Sequence, residues 1–394
     1  MAVTRVSVTE ADIQDAAGLL EGRVRQTPLL PAGELSRRFG SPVRLKAENL
    51  QLTGSFKARG ATCAVLRLPP ERLQAGVVAA SAGNHAQALA FAARAAGATA
   101  TLFMPAGAPL AKVAAVRQYG GDVRLIEGSY EEAGRAARAS AVDEGKTLVH
   151  PFDHPDVVAG QGSVGLEIAR DAPDVRLVVV PLGGGGLASG TAIALKGAVP
   201  DVRVVAVEAE GRTSQTICDG IAVKQPGELT GPLLETFVDE VVTVTDDEVA
   251  QAMVLLLERS KLVVEGAGAA GVAALMAGRL ERPADGQTCV VLSGGNVDVT
   301  LLSECIRMGE TAAGRRMVLV TVVPDRPGAL AGLLQSVAEK GANIVDVEHL
   351  REGVDLHLRE TAIHLTLQTR GPEHGRELVE AVRGAGFRVR IETL

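Results

Sequence analysis

Two hydrophobic patterns alternate along the first 310 residues. Short, mainly apolar β-like runs occur at 43–46, 77–80, 99–104, 123–126, 177–182, 202–207 and 288–292. Runs this short and apolar predict strands buried on both faces. Longer stretches rich in Ala and Leu lie between them, such as 86–96 and 187–197, and predict helices. Their alternation predicts an α/β architecture of parallel sheets covered by helices. Small and polar residues without periodicity mark 311–316 as a linker between a domain over 1–310 and a second over 317–394. The second domain reads as strand (317–323), helix (329–340), strands (343–350 and 362–368), helix (373–383) and strand (387–391). That βαββαβ order is ferredoxin-like.

Three predicted strands run into loops with chemical potential. They are Ser81-Ala82-Gly83-Asn84-His85, Gly183-Gly184-Gly185-Gly186 and Ser293-Gly294-Gly295-Asn296. In open α/β sheets, ligands gather at the carboxyl ends of strands. Four successive glycines before a helix let several N–H groups converge on a phosphate. No Lys-Ser/Thr pair follows, so this is not a Walker A loop. A further segment, Thr53-Gly54-Ser55-Phe56-Lys57, ends in a lysine at the expected start of a helix. The positive helix end there disfavours an ammonium and favours the neutral amine that attacks an aldehyde.

A reactive amine, an anion-binding loop and two more polar loops suit pyridoxal 5'-phosphate, carried as a Schiff base on Lys57. The Ser81 hydroxyl and the amides of loop 81–85 would hold a substrate carboxylate. The Asn84 amide would bond the cofactor's phenolic oxygen, and Ser293 its ring nitrogen. A hydroxyl does not keep that nitrogen protonated, so the ring becomes a weaker electron sink, better suited to elimination than to transamination. Read alone, Asn84 is also a helix N-cap and Ser293–Asn296 a turn.

Composition narrows the field. The net charge is -7, with no long block of like charge, and aromatics make up 2% with no Trp, which argues against a nucleic-acid surface. Cys63, Cys218, Cys289 and Cys305 make no CxxC pair, so neither a zinc site nor a disulfide framework is expected. His150-Pro151-Phe152-Asp153-His154-Pro155 invites a metal reading, but its prolines argue against a helical ligand face and no third ligand follows at usable spacing. A cofactor-facing loop or a turn is expected, and no metal. The N-terminus has no apolar signal core and no apolar run is long enough for a bilayer, so a cytoplasmic protein without membrane contact is expected.

Taken together, several stretches resemble the threonine ammonia-lyases (threonine dehydratases). They are Lys46–Ala61 around Lys57, Ser81–Gln87, His150–Pro155, Ala159–Gly162, Pro181–Leu187, Glu265–Ala269 and Leu292–Asp298, in the family order. The resemblance implies a two-lobed, tryptophan-synthase-β-like fold, known as fold type II, with a small lobe at roughly 52–150. It implies that Lys57 carries the cofactor and is the acid/base, with Phe56 beside it. Asn84 would then contact the ring oxygen, Gly183 to Gly186 the phosphate and Ser293 the ring nitrogen. Loop residues Ser81, Ala82, Gly83, Asn84 and His85 would bind the substrate, L-threonine and also L-serine.

Pro324–Leu330, Lys340–Ile344 and Thr369–His374 resemble an ACT domain, the amino-acid-sensing module. That implies an amino-acid effector, a homodimer or homotetramer, and a place in isoleucine biosynthesis or in threonine breakdown. Serine racemases of the superfamily carry a serine where this chain has Ala82, and a methyl group cannot deliver the proton that racemisation needs. Their divalent-ion pattern is only partly matched: Glu208 is present, but Arg212 and Ser214 stand where the pattern has a small residue and an acid. The alternatives are a serine-preferring dehydratase and, from another class, an amino-acid sensor with an inactive cofactor domain.

Overall fold

The structure is a computed structural model describing residues 7–211, 216–351 and 356–392. The chain forms two units, Met1–Asp298 and Val299–Leu394.

The first unit contains strands β1 (Leu29–Pro31), β2 (Val43–Ala47), β3 (Val77–Ala80), β4 (Ala100–Pro105), β5 (Asp122–Ile126), β6 (Thr147–Leu148), β7 (Val175–Pro181), β8 (Arg203–Ala209), β9 (Glu240–Val244) and β10 (Gln287–Leu292). They form two sheets. The larger has the order β1-β2-β10-β7-β8-β9, parallel apart from β1; the smaller has the order β5-β4-β3-β6 and is parallel throughout. All seven predicted strands form, with ends within two residues of the expected ones. The sequence pattern does not announce β1, β6 and β9. The first two are too short for a periodicity, and β9 is an edge strand that opens on exposed Glu240 and Val241.

Valines fill the centre of the larger sheet: Val178, Val179, Val180, Val204, Val205, Val290 and Val291 are all fully buried. Helices on both faces explain why these runs do not alternate with polar residues. The smaller sheet is covered by alanine-rich helices, among them Asn84–Ala95, whose small side chains permit close packing. Helix Lys57–Leu66 meets helix Pro155–Asp171 at a glycine contact: a Cβ on Gly160 would lie 2.7 Å from the Gly60 Cα. This contact sets where the first residue of the helix, Lys57, can stand.

The second unit opens with helix Val299–Ala312, followed by β11 (Arg316–Pro324), β12 (Asn343–Leu350), β13 (Glu360–Gln368) and β14 (Arg388–Glu392). Helices Ala329–Glu339 and Pro372–Gly384 alternate with these strands in βαββαβ order, and the antiparallel sheet runs β12-β13-β11-β14. Leu319, Leu333, Val337, Ile363, Leu365, Leu378 and Val382 form its core. Residues 311–312, read as linker, are the last of a helix, and Arg316 opens β11. The small polar composition of this stretch conceals the helix, which runs on to a Thr311 hydroxyl donating to the Arg307 carbonyl at 2.9 Å. Among the described residues, no helix is long and apolar enough to cross a membrane.

Candidate active site

Lys57 is held by its neighbours on two sides. Its Nζ donates to the Pro151 carbonyl at 2.7 Å and lies 5.1 Å from the centre of the Phe56 ring. Burial lowers the amine from its ordinary value to about 8, against an opposing attraction from Glu265. Desolvation favours the neutral amine, the form that reacts with a carbonyl. Phe56 itself packs against the core of the larger sheet.

The segment before Lys57 is zipped onto the loop after β10. Ser55 and Gly294 form an isolated antiparallel bridge, the Phe56 N–H donates to the Ser293 carbonyl at 3.0 Å, and the Gly295 N–H to the Gly54 carbonyl at 2.9 Å. Ser293 is thereby buried beside Lys57. Thr53, a β-branched residue, has φ +62, and Gly54 follows at φ +76. A non-glycine residue in this region is strained, and such strain clusters at functional sites. The Asn296 side chain secures it: Nδ2 donates to the Thr53 carbonyl at 2.8 Å and to Asn84 Oδ1 at 2.7 Å.

Asn84 therefore ties loops together and does not cap its helix. Gly83 occupies the N-cap position without a side-chain bond, and Asn84 is the first helical residue. Its Nδ2 donates to Glu265 Oε1 at 2.7 Å, leaving one N–H of that amide for a ligand. In the preceding loop, the Gly83 N–H donates to Ser81 Oγ at 3.3 Å and the Ser81 N–H to the Phe103 carbonyl at 3.1 Å. The N–H groups of Ala82, Asn84 and His85 have no protein acceptor among the described residues. Three free N–H groups at a helix start favour an anion. The His85 side chain acts elsewhere. It is buried, pushed down to about 3 chiefly by desolvation, and bonds the Val149 carbonyl through Nε2 at 2.9 Å. A neutral ring whose one N–H is so engaged has no donor left for a carboxylate, so His85 can serve a ligand only through its backbone.

The glycine loop connects β7 to helix Gly186–Ala198, with Gly185 at φ +94. Protein closes one side of it. A Cβ on Gly184 would overlap the Phe152 ring, one on Gly185 would lie 2.9 Å from Thr230 Cβ, and one on Gly183 would lie 3.0 Å from Ile221 Cα. Among the described residues the N–H groups of Gly183, Gly184 and Gly185 make no backbone hydrogen bond, and those of the first helical turn are free by geometry. Thr230 Oγ1 donates to the Gly184 carbonyl at 2.6 Å. Asp153 fixes Thr230 in turn, accepting from the N–H groups of Glu228, Leu229 and Thr230 at 3.0, 3.0 and 3.2 Å. A close-packed loop with free amides fits a phosphate, and the Lys57 amine fits the aldehyde of the same molecule.

The 150–155 stretch is thus a structural turn facing the site. His150 Nδ1 accepts from the Asp153 N–H at 2.8 Å and His154 Nδ1 from the Asp156 N–H at 3.2 Å. Among the described residues, no group of three His, Cys, Asp or Glu side chains is placed to hold a metal ion. Arg212 and Ser214 lie outside the described residues.

Residues 20–294 match the family model of the pyridoxal-phosphate dependent enzymes. The chain belongs to that family. Two curated relatives are L-threonine ammonia-lyases: one from Geobacter sulfurreducens, 44% identical across 96% of this chain and 98% of its own, and one from Thermotoga maritima, 43% identical across 98% and 99%. Among solved structures, maize serine racemase superposes with a TM-score of 0.73 at 31% identity, covering 76% of this chain and 96% of its own.

The cofactor is therefore pyridoxal phosphate. The structure brings together Phe56, Lys57, loop 81–85, the glycine loop and Ser293. Around them it places Pro151, Phe152 and Asp153, from the loop expected to face the cofactor, and Glu265, Asn296 and Thr230, to which the sequence pattern assigns no individual role. Asn296 directly follows Ser293-Gly294-Gly295, and Glu265 opens a glycine-rich helix start, so both lie within recognisable motifs. Nothing local marks Thr230 or the Pro151 carbonyl.

Proposed function

We infer that this chain catalyses the dehydration and deamination of L-threonine to 2-oxobutanoate and ammonia, and of L-serine to pyruvate and ammonia. The observation that carries this reading is the Lys57 amine, desolvated to about 8 and held at the Pro151 carbonyl, in a unit that also offers two sets of free loop amides. The amides of Ala82, Asn84 and His85, with Ser81 Oγ, receive the substrate carboxylate. Those of Gly183 to Gly186 hold the cofactor phosphate. Ser293 Oγ serves the ring nitrogen and the remaining Asn84 N–H the ring oxygen.

Bound pyridoxal phosphate supplies the sink for negative charge at the substrate Cα. Lys57 removes the α-proton. The β-hydroxyl then leaves as water, and the enamine product hydrolyses in solution, so the net reaction consumes no water. Ala82 offers no hydroxyl on the opposite side, which disfavours racemisation although a serine racemase shares the fold. The two relatives named for threonine support that substrate over serine.

In the same reading residues 52–150 form a small lobe that closes over the substrate. Residues 317–394 form an ACT domain that binds an amino-acid effector. Its βαββαβ order and its β12-β13-β11-β14 sheet support that assignment. The enzyme works in the cytoplasm as a homodimer or homotetramer. The test is release of 2-oxobutanoate from L-threonine by the purified protein and by Lys57→Ala. Turnover should vanish in the variant, and undiminished activity there would refute the assignment.

A further inference from the structure

Glu265 stands at the centre of the site. It is 5% exposed, at the start of helix Gly266–Met276, and accepts from Asn84 Nδ2 at 2.7 Å and from the Asn296 backbone N–H. Its own N–H donates to the Gly294 carbonyl at 3.0 Å. Asn84 belongs to the loop after β3, Asn296 to the loop after β10, and Asn296 also grips strained Thr53. We propose that Glu265 is a positioning residue of this site, whose ionised carboxylate fixes the Asn84 amide and locks together the three loops that surround the cofactor.

The hydrogen-bond inventory explains why ionisation matters. Both groups that face the carboxylate, Asn84 Nδ2 and the Asn296 N–H, are donors. The ionised form accepts from both. In the protonated form one oxygen becomes a donor, and neither neighbour can receive its hydrogen. Protonation therefore loosens Asn84 and changes what its remaining N–H offers the cofactor.

The charges around Glu265 come from three elements. Lys57 faces it from its helix. Turn Asp219–Ile221 contributes Asp219, and Cys218 just before it has a thiol that burial pushes up to about 12, so it is neutral. Lys112, on helix Leu110–Gln118, crosses to Asp219 with Nζ 2.6 Å from Oδ2. Burial raises the Glu265 carboxyl to about 7, with Asp219 adding to the rise, while Asn84 and Lys112 oppose it. The Lys112–Asp219 pair thus links the helix that follows β4 to the charge state of a residue inside the site.

The test is the visible spectrum of the holoenzyme without substrate, titrated from about pH 5.5 to 9 across the neutral range in which Glu265 changes charge. The expected result is a transition of the cofactor band centred near 7. It should be absent in Glu265→Gln, move to lower pH in Asp219→Asn and move to higher pH in Lys112→Gln. A transition that persists unchanged in Glu265→Gln overturns the proposal, as does movement of both surface variants in one direction. If Glu265→Gln fails to retain cofactor, the opposed shifts of Asp219→Asn and Lys112→Gln decide alone. The spectrum depends on the cofactor and not on the substrate, so a failure to turn over threonine would strike the proposed activity and leave this result standing.

Discussion

Replacing Arg59 with Met probes the charge cluster behind Lys57. Arg59 is 1% exposed, bonds Glu48 through Nε and Nη2 at 2.8 Å each, and bonds Glu167 through Nη1 at 2.7 Å and Nη2 at 3.0 Å. Lys46 bonds both Glu167 and the Thr27 carbonyl, so two cations offset two carboxylates. Met fills similar volume but leaves the fully buried Glu48 with only Lys46 to balance it. Removing one partner of a buried ion pair costs about 3–5 kcal/mol. With an unfolding entropy of roughly 2.1 cal/mol/K per residue over a unit of about 300 residues, 1 kcal/mol is worth ~1.6 °C, so Tm should fall by ~5–8 °C.

The pH dependence gives a second check. Burial pushes the Glu48 carboxyl up, and in the native protein Arg59, together with Lys46 and Thr27, more than offsets this and holds it below its ordinary 4.5. A lowered carboxyl stabilises above its unfolded value and loses that contribution as pH falls through the folded one. In Arg59→Met the burial is opposed only by Lys46 and the Thr27 hydroxyl and the carboxyl rises, so the deficit should narrow on acidification from about pH 8 to 5. Calorimetry of the cofactor-saturated proteins at several pH values reads both effects. A Tm drop under ~2 °C, or a deficit constant with pH, would mean that water reaches these charges and that the cluster does not hold the Lys57 helix.

Gly184→Ala places a methyl group into the Phe152 ring, an overpacking that costs ~1–3 kcal/mol and displaces the loop amides. Equilibrium dialysis should show weaker retention of pyridoxal phosphate, whereas Gly18→Ala, in open space on helix Glu10–Leu20, should retain it and gain about 1 kcal/mol of stability. The Lys57 amine must be neutral to attack an aldehyde, and burial sets it at about 8. Stopped-flow incorporation of pyridoxal phosphate into apo-protein should therefore accelerate as pH rises through about 8 and level off above it; a rate flat from pH 6 to 9, roughly, would contradict the lowered value.

The large elements are legible because each has one strong cause. A strand buried on both faces reads as an unbroken run, and so 77–80 and 288–292 can be read with their ends nearly correct. The failures have causes too. Residues 311–312 continue a helix that tertiary packing supports, for Cys305 is buried and Thr311 bonds back to Arg307, yet their composition resembles a linker. β6 is two residues whose only definition is pairing with β3, a fact of the sheet and not of the segment.

At the site, legibility follows the distance over which a residue acts. Lys57, the glycine loop and Ser293 each sit in a local motif whose backbone shape implies a ligand. Glu265 and Asn296 act through partners as far as 181 and 243 positions away, so their roles emerge only once the strands have brought three loops together. His85 shows the converse. Its place beside Asn84 suggests a donor to substrate, but helix geometry turns successive residues in different directions, and the ring points into the core towards Val149. The residues that carry chemistry on their own are visible in the sequence. The residues that hold them in register require the fold, and it is among these that the clearest measurable consequence lies: a buried carboxyl whose charge changes near neutral pH, hydrogen-bonded to the amide proposed to meet the cofactor.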